Sequence, residues 1–180
     1  MLKENYFIIT GGPGMGKTSV IDALHAEGYT IVPESGRGII REQVAVNGNA
    51  LPWADRAAFA DLMFRQAIAD YRQHTASEGP VFFDRGIADT IGYLQLCGLP
   101  VPEEMLNAAR QLCSNNKVFI TPPWKEIFGQ DTERKQSFEE AVRTYEMMEE
   151  LYTSLGHALV VLPKVSIPER VQFLLENSQA

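Results

Sequence analysis

The stretch Gly11-Gly12-Pro13-Gly14-Met15-Gly16-Lys17-Thr18 constrains this chain most, because it prescribes a loop, both of its neighbours and a ligand at once. It fits the spacing G-x-x-x-x-G-K-[ST]. Its flanks supply the context that spacing needs, with the apolar, β-rich run Tyr6 to Ile9 before it and a helix-compatible pattern from Lys17 onward. With almost no side-chain bulk, the loop lets successive backbone N–H groups turn inward around phosphate oxygens. The helix that follows points the positive end of its dipole at the same place. Lys17 is expected to put a point charge on the β- and γ-phosphates of a nucleoside triphosphate, and the Thr18 hydroxyl to ligate Mg²⁺. The expected binding segment is therefore Gly11, Gly12, Pro13, Gly14, Met15, Gly16, Lys17, Thr18 and Ser19. A Gly-rich turn that only joined a strand to a helix would not require Gly-Lys-Thr at its exit.

Bulk properties narrow the classes further. At 180 residues the chain is long enough to bury a core without disulfide or metal staples. Its 23 acidic against 16 basic residues give a net charge of −7, which argues against broad nucleic-acid binding, since that requires a phosphate-neutralising basic face. No apolar run approaches the roughly 20 residues needed to span a bilayer. Met1 to Asn5 lead straight into the first strand and leave no room for a signal peptide, so a cytoplasmic location is expected. Cys97 and Cys113 lack any Cys-x-x-Cys or Cys/His grouping and read as buried thiols, and His25, His74 and His157 show no metal-ligand spacing.

Strand and helix signals alternate along the chain. A helix through Ser19 to Glu27 carries Val20, Ile21 and Leu24 on one face and is capped by Gly28. The short strand Tyr29 to Val32 leads to Glu34 and Arg37, which stand at a strand's carboxyl end, the edge along which open parallel sheets bind ligands; a solvated loop pair is the alternative. Gly38 to Val46 reads as a helix, and Asp55 caps a long one reaching about His74, on which Arg65 and Gln66 read as solvated. The apolar strand Pro80 to Phe83 delivers Asp84-Arg85-Gly86. A carboxylate at that position orders Mg²⁺ or its waters in a triphosphate site, the alternative being a helix cap before Ile87. Arg85 follows where water-activating ATPases commonly have Glu, and a permanent cation suits an anionic group better than proton removal.

Helices over Ala88 to Leu96 and Glu103 to Cys113 precede a fourth strand, Lys117 to Ile120. The irregular segment of about 121 to 137 is long for a loop in a compact fold and reads as a lid that carries Trp124, Arg134 and Lys135. Capping-box spacing at Ser137 and Glu140 opens a helix to about Leu155, and Ala158 to Leu162 is a fifth strand. The same spacing at Ser166 and Glu169 opens a last helix, Ile167 to Leu175, with Pro168 in its first turn. Strands alternating with helices predict an α/β fold with a parallel sheet covered on both faces.

Taken together, the phosphate loop, Glu34 and Arg37 after strand two, Phe82-Phe83-Asp84-Arg85-Gly86 at strand three, the Arg-bearing lid and the run from Leu155-Gly156 to Leu162-Pro163 resemble the kinase branch of the P-loop nucleoside triphosphatases. More narrowly, the chain is similar to the small "AAA domain" predicted ATPases related to the nicotinamide riboside kinase domain of bifunctional nicotinamide-nucleotide adenylyltransferases. That resemblance implies a three-layer α/β/α fold with a five-stranded sheet in the order 2-3-1-4-5, and ATP with Mg²⁺ as cofactors. It implies Glu34 as a carboxylate for the acceptor hydroxyl, Arg37 near the same substrate, Asp84 as the Mg²⁺ or base carboxylate, and Arg85 as an anion clamp. It further implies Arg134 as the lid arginine on the transferring phosphate, and places the turn Pro163-Lys164-Val165 near adenine. The function so implied is transfer of the γ-phosphoryl group of ATP to a hydroxyl of a small nucleoside-like metabolite, with no membrane and no nucleic-acid partner. The alternatives are a switch ATPase that hydrolyses slowly without an acceptor, and a polynucleotide end kinase. Whether Glu34 or Asp84 takes the acceptor proton stays open on sequence.

Overall fold

The computed structural model describes residues 3–74, 76–112, 114–129 and 136–178. Five strands, β1 (Tyr6–Gly11), β2 (Thr30–Val32), β3 (Val81–Asp84), β4 (Lys117–Thr121) and β5 (Ala158–Val161), form one sheet in the order β2-β3-β1-β4-β5. Every pairing is parallel. Seven helices connect and cover the strands among the described residues: α1 (Lys17–Ala26), α2 (Gly36–Ala45), α3 (Arg56–Gln73), α4 (Ile87–Leu96), α5 (Glu103–Gln111), α6 (Phe138–Ser154) and α7 (Ile167–Asn177).

The apolar strands split by residue parity into two cores. Because strand side chains alternate between faces, Tyr6, Ile8, Val81, Phe83, Val118 and Ile120 face one layer, and Phe7, Ile9, Phe82 and Phe119 face the other. The first set packs on Phe64 of α3, Ile91 of α4, Met105 of α5 and Tyr152 of α6. The second packs on Val20 and Leu24 of α1 and on Val171 and Leu174 of α7. Ile9, Phe82 and Phe119 are fully buried, each worth about 1.5–3 kcal/mol of apolar transfer. Covering on both faces explains why these strands read as continuous apolar runs. No described helix is long and apolar enough to cross a membrane.

Several boundaries differ from expectation by one or two residues. Helix α2 begins at Gly36, not Gly38, so Arg37 lies in its first turn instead of in the preceding loop. Helix α5 ends at Gln111, short of Cys113, which lies outside the described residues. Leu112 leaves helical backbone at φ −94 and ψ 70. Just beyond, the Asn115 amide donates to the Tyr6 carbonyl at 2.7 Å, which starts the alignment of β4 beside β1.

Candidate active site

In a parallel sheet all carboxyl ends lie along one edge, and here that edge gathers Gly11 at the end of β1, Glu34 beyond β2 and Asp84 at the end of β3. The loop after β1 is built without side chains for two separate reasons. Gly16, the residue before α1, has φ 75, in the left-handed region that favours glycine. Gly12 is pressed against α6, where a Cβ would meet the Ala141 carbonyl oxygen at 2.3 Å, a backbone atom that cannot step aside. Gly16 offers no side-chain cap and the first turn of α1 holds no acidic residue, so the N–H groups at the helix tip remain donors for an external anion. Thr18 and Ser19 are exposed in that first turn, whereas Met15 is buried. A phosphate chain fits this cradle, and Thr18 is the hydroxyl at its mouth.

Lys17 is only 5% exposed and pairs with Asp84, itself 9% exposed, so the two charges are nearly withdrawn from water. Burial, together with nearby Arg85, pulls the Lys17 pKa below the ordinary lysine value, against Asp84 and Glu34, which push it up. Arg85 turns the chain at φ 73, a conformation that costs a residue with a side chain about 1–3 kcal/mol. Its guanidinium donates to the Gly11 carbonyl at 3.2 Å and to Asp89 at 3.1 Å, and faces Glu34 at 3.7 Å. Burial alone would lower its pKa; Glu34, Asp89 and Asp84 outweigh that and hold it above the usual arginine value.

The residue that anchors this arrangement, Asp89, was missed by the sequence reading. It is buried at the third position of α4 and accepts from Thr10 at 2.5 Å, Tyr152 at 2.6 Å and the Gly86 amide at 2.8 Å, besides Arg85. The spacing Gly86-x-x-Asp89 at a helix start was the available signal. Gly86, not Asp84, occupies the cap position before Ile87.

Two recesses open near the loop. A cleft of about 1160 Å³ brings together Glu34, Arg37, Asp84 and Arg85, over a floor that includes Phe59 and Met63 of α3. A second recess of about 510 Å³ lies beside Gly16 and Ser19, walled by Trp124, Ile127, Lys164, Val165 and Arg170. There the Arg170 guanidinium sits 5.6 Å from the Trp124 ring centroid and donates to the Gly16 carbonyl at 3.4 Å. Arg170 was also missed, since a single Arg in an amphipathic helix gives no sign that it is buried. Trp124 is tied to the loop through its amide, 3.2 Å from the Met15 sulfur. Phe128 and Ile127 overhang Gly14 and Gly16 so closely that a Cβ on either glycine would collide with them. Arg134 and Lys135 lie outside the described residues. Among the described residues no group of three or more His, Cys, Asp or Glu forms a cation site.

This architecture is the three-layer α/β/α fold of the P-loop kinases. The same fold occurs in a deoxyadenosine kinase from M. mycoides with bound dATP, at TM-score 0.59 and 13% identity over 96% of this chain and 98% of that one. A thymidylate kinase from Candida albicans aligns at TM-score 0.67 and 16% identity, over 96% of this chain and 90% of that one. The NadR protein in complex with NR aligns at TM-score 0.62 and 18% identity, over 96% of this chain and 50% of that one. The chain belongs to the AAA domain family, whose model matches residues 6–170. A search of curated proteins found no match.

Proposed function

We propose that the protein is an ATP-dependent phosphotransferase acting on a small nucleoside-like metabolite. The observation that carries this reading is the cleft beside the phosphate loop, where Glu34, Arg37, Asp84 and Arg85 converge on the carboxyl edge of the sheet. A loop and helix tip that hold polyphosphate need no such cleft unless something is to receive the phosphoryl group.

When bound, ATP with Mg²⁺ supplies the transferable phosphoryl group and neutralises charge on its own polyphosphate. The backbone from Gly11 to Gly16 and the first turn of α1 would hold the phosphates, Thr18 and Asp84 would hold the metal, and Lys17, paired with Asp84, would supply a cation to the phosphate oxygens. Adenine would be held at the recess of Trp124, Lys164, Val165 and Arg170, beside the turn Pro163-Lys164-Val165. Glu34 and Arg37 orient the acceptor, and Arg85, fixed by Asp89, steadies negative charge as it builds on the transferring group. Arg134 is the lid arginine, and Arg134→Ala is expected to lower turnover about 10³-fold, with a loss of only a few-fold removing it from the mechanism.

The test is ADP release from ATP and Mg²⁺ across nucleosides, their monophosphates and vitamin-like alcohols, with a no-acceptor control. Clear stimulation by one compound is the expected result. Release at the same rate with and without every acceptor would favour a switch ATPase and contradict this reading.

A further inference from the structure

Resting on the reading of ATP as the phosphoryl donor, we infer that Arg170 is a ligand of the donor's α-phosphate, a buried cation whose counter-ion arrives with the nucleotide.

The first support is an unpaired charge. Arg170 is 4% exposed, its Nε is buried without a hydrogen-bond partner, and its guanidinium reaches the Gly16 carbonyl only at 3.4 Å. Its other contact is the face of Trp124, 5.6 Å from the ring centroid. No carboxylate among the described residues pairs with it. Glu169, its neighbour in sequence, is engaged in the cap of α7, where it accepts from the Ser166 amide at 3.1 Å and the Ser166 hydroxyl at 2.5 Å. Arg85 differs, with Glu34 and Asp89 set against it. Burial lowers the Arg170 pKa, and no carboxylate pushes it back. A cation withdrawn from water without an opposite charge destabilises a fold, so its position is accounted for by an anion from outside the chain.

The second support is place. The walls of the recess that holds Arg170 carry one further cation, Lys164, and no acidic side chain, in a chain of net charge −7. The recess opens beside Gly16 and Ser19, where the tip of α1 already offers backbone donors to an anion. The guanidinium lies so near the loop that a Cβ on Gly16 would come within 2.8 Å of Nη1. The large cleft takes the acceptor, and with it the γ end of the donor. This second recess shares no lining residue with that cleft and takes the nucleoside end. The phosphate that adjoins the nucleoside is the α-phosphate, and a planar guanidinium matches its two free oxygens. The bond that breaks in transfer is at the γ-phosphorus, so the α-phosphate carries the same charge before and during the step. Arg170 therefore serves donor binding and not the transfer itself.

The experiment titrates ATP, and separately inorganic tripolyphosphate, each with Mg²⁺, into the native protein, Arg170→Met and Arg170→Lys, and records the melting curve of each protein without ligand. Arg170→Met keeps an unbranched side chain and removes its charge. It should weaken ATP and tripolyphosphate alike, by about tenfold or more, while its unliganded Tm stays within about 3 °C of the native value or rises. Arg170→Lys, which keeps the charge, should bind both more tightly than Arg170→Met. Undiminished ATP affinity in Arg170→Met would overturn the inference. So would a loss for ATP with tripolyphosphate unaffected or unbound, because Arg170 would then hold the base and not the phosphate. A larger fall in Tm would assign Arg170 to the fold instead. Each of these results leaves the phosphotransferase reading standing, whereas a native protein that binds neither ATP nor tripolyphosphate would overturn both.

Discussion

Asp89 takes hydrogen bonds from Thr10, Tyr152, Arg85 and the Gly86 amide while almost fully buried, so replacing it leaves four donors without their acceptor. Breaking such a buried cluster costs about 3 kcal/mol or more. Asp89→Ala should therefore lower the Tm by roughly 6–12 °C for a chain of this size, read by thermal unfolding. A fall under 2 °C would mean the cluster is not a structural anchor. Gly12 is the other residue where geometry leaves no slack. Gly12→Ala drives a methyl into the Ala141 carbonyl of α6, an overpacking of about 1–3 kcal/mol, and displaces the loop from its phosphate-holding shape. A lower Tm together with weakened ATP binding is the expected outcome; unchanged affinity would show that the contact between α6 and the loop does not shape the cradle.

Helix α6 is held at its start by a reciprocal pair, the Glu140 amide donating to the Ser137 hydroxyl at 3.2 Å and the Ser137 amide donating to the Glu140 carboxylate at 2.7 Å. Ser137→Ala should cost about 1 kcal/mol, visible as a Tm lower by about 2–4 °C, and no measurable shift would contradict the cap. At the other end, His157 joins α6 to β5 with its ring 5.5 Å from Tyr152. Burial lowers its pKa, partly offset by backbone groups of Asn116 and Asn115. With a folded-state pKa below 6.5, the unfolded chain binds the proton first, so the contribution of His157 is complete above pH 6.5 and is lost as pH falls through the folded value. As pH falls below 6.5, stability should fall more steeply for the native chain than for His157→Asn; parallel curves would contradict this. Such local features were readable in the sequence because they are carried by neighbours: both capping boxes, the apolar strands and the glycine loop all depend on spacing alone. Asp89 and Arg170 were not, because their partners are 63 and 79 positions away for Asp89 and 154 away for Arg170, and only the packing of α4 on α6 and of α7 beside the loop brings them together. The start of α2 was misplaced because Gly36 and Gly38 have low helix propensity, which burial of Gly36 and Ile39 overrides.

Across the whole molecule, the parallel order β2-β3-β1-β4-β5 aligns loop ends that are far apart in sequence, and this is why Glu34, Asp84 and Gly11 share an edge. A covered parallel sheet and the phosphate loop were legible from the alternation of elements and one motif, whereas the strand order followed only from the resemblance to P-loop kinases. The gathering of Arg37, Arg41, Arg56 and Arg143 on the cleft was not legible, since it draws on three helices at once. In the proposed function ATP is held on the loop of Gly11 to Thr18. Calorimetric titration of ATP with Mg²⁺ into the native protein and into Lys17→Ala, with melting curves to show that both are folded, tests this most directly. One site on the native protein and no measurable binding to the folded variant is the result expected. Affinity retained by Lys17→Ala within a few-fold of the native protein would place the nucleotide elsewhere.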